Sequence, residues 1–85
     1  MYQVLYSRAA TKTLGRLPVD VRRLIESKIT RLAAAPHRAA NVKRLAGHPR
    51  GWRLRVGDWR VVYTLDDERL IVAVVKIATR GEVYK

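Results

Sequence analysis

The sequence predicts an α+β domain. An N-terminal strand and an antiparallel helix pair precede a three-strand antiparallel meander, with the helices packed on one face of a four-strand sheet. Three observations predict it. Residues 52–56 and 59–65 each alternate apolar and polar side chains about Gly57-Asp58, a pair suited to a two-residue hairpin turn with glycine first. Between Pro18 and Pro36, Val21, Leu24, Ile25, Ile29, Leu32 and Ala33 recur with the 3.6-residue helical period. Residues 70–78 are almost continuously apolar, broken by Lys76, as in an interior strand.

Taken in chain order, residues 2–6 are apolar and β-favouring and form the first strand. Ser7 then caps a helix that puts Ala10, Leu14 and Leu17 on one face, with Gly15 weakening its end. Pro18 opens the second helix and Ala35-Pro36 stops it, giving a short-looped pair with one apolar stripe on each helix. Residues 37–51 mix histidine, proline, glycine and cations without a sustained period, and read as a long loop with a short turn around residues 41–45. So long a connection in a small domain usually has a task. Lys43, Arg44 and Arg50 lie in it and offer one wall of an anion site.

The hairpin register pairs Val56 with Trp59, Arg55 with Arg60, Leu54 with Val61 and Arg53 with Val62. Arg53, Arg55 and Arg60 then share one face, while Trp52, Leu54, Val56, Trp59, Val61 and Tyr63 share the core-facing one. Asp66-Asp67-Glu68 marks the next turn as a solvated acidic cluster. Continued alternation in the last strand places Lys76 and Arg80 on one face and Ile71, Ala73, Val75 and Ile77 on the other. With no repeat, linker or low-complexity stretch, residues 1–85 read as a single domain.

Composition narrows the function. Apolar residues make up 48% of the chain, which argues for a folded domain over a basic tail. Cysteine is absent, and His37 and His48 lack metal-site spacing, so no metal or cofactor is expected. The N-terminus lacks the pattern of a signal peptide and no stretch is apolar enough to span a membrane, which makes cytoplasm the expected location, with no membrane partner. The net charge is +11, from 18 Lys and Arg against 7 Asp and Glu. Such an excess favours polyanions, nucleic acid first and an acidic protein second.

Arg55 opposite Arg60 is unfavourable by a few tenths to about 1 kcal/mol, so a sheet that keeps the pair has something anionic to hold. If the last strand neighbours the 59–65 strand, Arg80 and Lys76 join the group with Tyr84 close by. Arginine forks suit phosphate and tyrosine stacks on a base, a combination that fits single-stranded nucleic acid. Arginines supply the electrostatic part of a phosphoryl transition state, but their high pKa makes them poor proton carriers. Tyr84, Lys76 and Glu82 are the candidates for proton transfer.

The run from Gly51 to Tyr84, with its WRLRVGDWRVVY hairpin and terminal TRGEVY, resembles the RelE/ParE toxin superfamily of bacterial type II toxin–antitoxin systems. The first strand, the Leu17-Pro18 helix break and the Val42-Lys43-Arg44-Leu45 segment extend the resemblance over most of the chain, and the terminal tyrosine points to the RelE-like branch. The resemblance implies a RelE-like microbial ribonuclease fold. It also implies a metal-independent mRNA endoribonuclease acting on ribosome-bound mRNA in the A site and inhibiting translation. A cognate acidic antitoxin would neutralise it, and the complex would bind operator DNA only through that antitoxin. By position, Arg60 and Arg80 match arginines that stabilise the cleaved phosphate, and Tyr84 a tyrosine that stacks on the base or assists proton transfer. Arg53 and Arg55 stand where the best-known member has lysines, one implicated as general base. Lys43 and Arg44 match a basic segment that contacts RNA, with Arg50 and Lys76 beside the same set. Thr79 and Gly81 depart from the family pattern of a histidine before the terminal arginine and a basic residue after it. The missing lysines and histidine also suit a ParE-like toxin that inhibits DNA gyrase without cutting nucleic acid, and a basic nucleic-acid-binding module without activity is a third reading.

Overall fold

A computed structural model describes residues 1–48 and 50–79. The elements run β1 (Gln3–Tyr6), α1 (Arg8–Arg16), α2 (Val19–Ala34), a 3-10 turn (Pro36–Arg38), β2 (Val42–Arg44), β3 (Gly51–Val56), β4 (Trp59–Asp66) and β5 (Ile71–Thr79). The strands form one mixed sheet in the order β1-β5-β4-β3-β2, with β1 parallel to β5 and the other pairs antiparallel. The α+β architecture expected from the sequence is the one found, with a fifth strand added.

That strand is β2, in the segment read as a loop. Its residues pair Val42 with Leu54, Lys43 with Arg53 and Arg44 with Trp52, so the segment folds back as an edge on the hairpin. Asn41 at φ +62 makes the turn into it. Three residues are too few to show a period.

The local signals act as the sequence suggests at both helix starts. The Ser7 hydroxyl accepts the Ala10 amide at 3.0 Å and donates to the Val75 carbonyl at 2.6 Å, so one side chain caps α1 and ties it to β5. Pro18 stands as the N-cap of α2, where its missing N–H costs nothing. The α2 stripe buries Ile25, Ile29, Leu32 and Ala33, but Leu24 is half exposed because it lies about a quarter-turn from Ile25.

Both helices pack on one face of the sheet. Ala10, Leu14 and the α2 stripe meet Leu54, Val56, Val61, Tyr63, Val72, Val74 and Ile77 in one core, with Trp52 and Trp59 partly buried at its margin. Each fully buried aliphatic here contributes roughly 1.5–3 kcal/mol.

The β3–β4 register is the expected one from Val56↔Trp59 to Arg53↔Val62, and Gly57 takes φ +58 at the first turn position. In β5 the simple alternation fails. Tyr63 pairs with Val74 but Val62 with Lys76, so Val75 is an extra residue in a β-bulge. Val72, Val74 and Ile77 therefore share the core face, while Ile71 and Ala73 turn to the same side as Lys76. This corrects the grouping of Ile71, Ala73 and Val75 with Ile77.

Candidate functional site

The face of the sheet away from the helices carries the site. Its basic half is laid out by pairing alone: Lys43 faces Arg53 across β2–β3, Arg55 faces Arg60 across β3–β4, and Val62 faces Lys76 across β4–β5. Because directly opposed residues project to the same side, all five cations stand on one surface. Lys43, Arg55 and Lys76 are exposed, and Arg53 and Arg60 are half-buried. The Arg60 guanidinium donates through Nη1 to the carbonyls of Gly57 at 3.1 Å and Trp59 at 3.0 Å. These bonds hold its stem against the hairpin end of the sheet and leave other donors of the fork for an incoming oxyanion. The second half of this face is mixed, with Leu5 of β1 beside Ala73 of β5 and with Gln3, Thr64 and Asp66 paired onto the same side as Ile71 and Ala73.

Of the sequence-derived candidates, Lys43, Arg53, Arg55, Arg60 and Lys76 are thus brought together. Arg80, Glu82 and Tyr84 lie outside the described residues. Arg44 does not join them. As the partner of Trp52, it projects to the helix side of the sheet, where its Cζ lies 5.4 Å from the Trp52 ring centroid. A segment without a period gives no indication of face, and the alternation of β2 separates Lys43 from Arg44.

At the end of the sheet away from the Gly57 turn, an open cleft of about 670 Å³ is lined on one side by Arg44, Arg50 and Trp52. The acidic β4–β5 turn and His37 line the other side. The sequence pattern implies only a solvated turn here, but two of its carboxylates have structural tasks. Asp66 Oδ1 accepts the amides of Glu68 at 3.1 Å and Arg69 at 3.0 Å. Asp67 Oδ1 accepts the Tyr2 hydroxyl at 2.6 Å and is 2.8 Å from His37 Nε2. The Tyr2 bond, and after it the His37 bond, hold the Asp67 carboxyl below its ordinary value, and the same contact raises the Tyr2 phenol. Tyr2, His37 and Asp67 are too far apart in the chain for any local signal to have joined them. Among the described residues no group of His, Cys, Asp or Glu is arranged to hold a metal ion, and no helix is long and apolar enough to cross a membrane.

This helix pair on a five-strand mixed sheet is the fold of solved RelE toxins. Residues 4–84 match the family model described as ParE toxin of type II toxin–antitoxin system, parDE. The chain belongs to this family, within the RelE/ParE superfamily, and is a toxin of a type II toxin–antitoxin system. No curated protein matches it.

Solved structures of RelE toxins superpose closely. The isolated E. coli RelE toxin is 27% identical, with a TM-score of 0.80, over 99% of this chain and 92% of that one. RelE in the archaeal RelE-RelB complex from Pyrococcus horikoshii OT3 gives 26% identity and a TM-score of 0.81, over 94% of this chain and 96% of that one. The intact E. coli RelBE toxin-antitoxin complex gives 25% identity and a TM-score of 0.80, over 93% and 96%.

Proposed function

We propose that this toxin is an mRNA endoribonuclease of the RelE kind, acting in the cytoplasm on ribosome-bound mRNA. The observation that carries the reading is the Arg55–Arg60 pair on an open sheet face, flanked by Lys43, Arg53 and Lys76. Folding alone does not favour opposed cations, and a phosphodiester between them turns that cost into binding. In the reaction the ribose 2′-hydroxyl loses its proton and its oxygen bonds to the adjacent phosphorus. The bond from phosphorus to the 5′ oxygen breaks, and that oxygen takes up a proton, leaving a 2′,3′-cyclic phosphate and a 5′-hydroxyl. Arg55 and Arg60 neutralise the charge gathering on the phosphoryl oxygens, the contribution that usually dominates such catalysis. Arg53 and Lys43 hold a neighbouring phosphate. Lys76 and Tyr84 are the proton carriers, and Arg80 is a third phosphate ligand by its match to the family. The E. coli and Pyrococcus relatives are solved as complexes with RelB, and by analogy an acidic antitoxin covers this basic surface and mediates any contact with operator DNA.

Primer extension on a defined mRNA in a translating extract tests the reading. The wild-type chain gives breaks within the reading frame. Arg60→Ala and Arg80→Ala each lower cleavage by about a hundredfold or more, and Tyr84→Phe lowers it as well, all with native circular dichroism. Cleavage retained in all three overturns the site assignment.

A second reading, gyrase inhibition without nuclease chemistry, is favoured by the match to the ParE family model. A supercoiling assay with purified gyrase separates the two, since the ribonuclease leaves supercoiling unchanged.

A further inference from the structure

We propose that the cleft at the far end of the sheet is a second RNA subsite. It takes a flanking nucleotide of the strand gripped on the open face and prefers a base that bears an exocyclic amine. The inference rests on the ribonuclease reading above and adds a path and a base preference to it. The path follows from β2. The Arg55 amide donates to the Asn41 carbonyl and the Leu45 amide to the Gly51 carbonyl, so residues 41, 43 and 45 face β3. The amide of Val42 consequently points out from the edge. Along the edge strand Lys43 lies on the open face, the Val42 amide at the rim and the Arg44 side chain on the cleft side. A polyanion crossing from one face to the other meets hydrogen-bond donors throughout.

The cleft suits one nucleotide. Its volume of about 670 Å³ is within the range of small-ligand sites. The Arg44 guanidinium lies 5.4 Å from the Trp52 ring centroid, a cation and an aromatic side chain of the kinds on which unstacked bases settle. Arg50 is exposed and makes no ion pair among the described residues, so it can meet a phosphate. On the opposite wall Asp66 and Asp67 are occupied by the bonds described above. The Glu68 carboxylate has no such partner among the described residues. A carboxylate accepts hydrogen bonds only, so it rewards the amino groups of adenine, cytosine and guanine, whereas uracil offers it a single ring N–H flanked by two carbonyls that repel it. Trp52 lies three residues along β3 from Arg55, about 10 Å, and on the other face of the sheet. Only an oligonucleotide of several units reaches both places.

The test uses the full chain, isotopically labelled, with 2′-O-methyl oligonucleotides that bind but lack the attacking hydroxyl. A single-stranded adenine oligomer of about nine units shifts the amides of Arg53 and Arg55 together with the Trp52 indole N–H and the Glu68 amide. A three-unit oligomer shifts only the first pair. The nine-unit adenine oligomer binds about tenfold more tightly than the uracil one, and Glu68→Ala removes most of that ratio. Open-face shifts with a silent cleft overturn the subsite and leave the ribonuclease reading standing. Silence at both places at low salt overturns the RNA reading and the subsite with it. Cleft shifts with equal affinity for both oligomers overturn the base preference.

Discussion

Tyr63 is the residue whose chemistry fits its position least. It is fully buried in the core, its hydroxyl has no hydrogen-bond partner among the described residues, and burial pushes the phenol up to about 12. A buried, unsatisfied hydroxyl costs about 1–3 kcal/mol. Tyr63→Phe is therefore expected to leave stability unchanged or raise it by about 1 kcal/mol in urea unfolding. A loss above that amount would show that the hydroxyl has a partner. Asp67 is the opposite case, an exposed carboxylate with a clear role. It ties Tyr2 beside β1 and His37 in the 3-10 turn to the β4–β5 turn. Because its folded pKa is depressed below the ordinary 3.8, its contribution is present above that value and is lost as pH falls through the folded one. Asp67→Asn should lower stability at neutral pH, where the carboxylate contributes, and flatten the acid side of the curve, so that variant and wild type converge below about pH 4. Unchanged acid sensitivity in the variant would assign the acid limb to other groups.

At the scale of elements, what the sequence made legible follows from what a periodic pattern can carry. The β3–β4 hairpin was readable to the residue pair because Leu54, Val56, Val61 and Tyr63 alternate cleanly around a glycine that must take positive φ. Ser7 and Pro18 marked the helix starts by chemistry that acts within one turn. The Val75 bulge was invisible, since an extra valine in an apolar run leaves composition unchanged while exchanging faces for everything before it. The face of Arg44 was equally hidden, because it is set by pairing with Trp52 eight positions along the chain. The candidate site was legible where the hairpin supplies it, at Arg53, Arg55 and Arg60, whereas Lys76, Tyr84 and Glu82 were reached by elimination, since arginine is too basic to carry the proton. The Arg55–Arg60 pair allows a direct test of whether this surface was shaped for binding. Arg55→Glu turns a like-charge pair into an opposite one and should stabilise the fold by about 0.5–1 kcal/mol, while RNA binding and cleavage fall sharply. A variant that is destabilised, or that still binds RNA as the wild type does, would show that the pair is not held in place by a ligand's needs.

Over the whole molecule the net charge of +11 sets one sign for folding and another for binding. Exposed side-chain ion pairs join Arg22 to Glu26 and Arg69 to Asp66, and His37 pairs with Asp67 when its ring is protonated. Exposed pairs of this kind contribute about 0–1 kcal/mol each, so they do not offset a surplus of cations spread along one sheet face. Self-repulsion therefore opposes the compact state, and added salt relieves it as the Debye length falls from about 10 Å at 0.1 M to about 3 Å at 1 M. The melting temperature should rise by several degrees over that range in sodium chloride. RNA affinity should move the other way, because each phosphate engaged releases counterions. If all five open-face cations engage, the logarithm of affinity falls against the logarithm of salt with a slope of about −3.5. Paired thermal melts and binding titrations on one protein sample, without and with saturating 2′-O-methyl RNA, measure both quantities. The ligand removes the repulsion that salt would otherwise screen, so the RNA-bound protein should gain less from salt than the free one. A melting temperature that falls with salt would mean that the described ion pairs outweigh the surplus charge. An affinity indifferent to salt would mean that the open face grips no phosphate, and the cations opposed across β3 and β4 would then lack the anion that explains them.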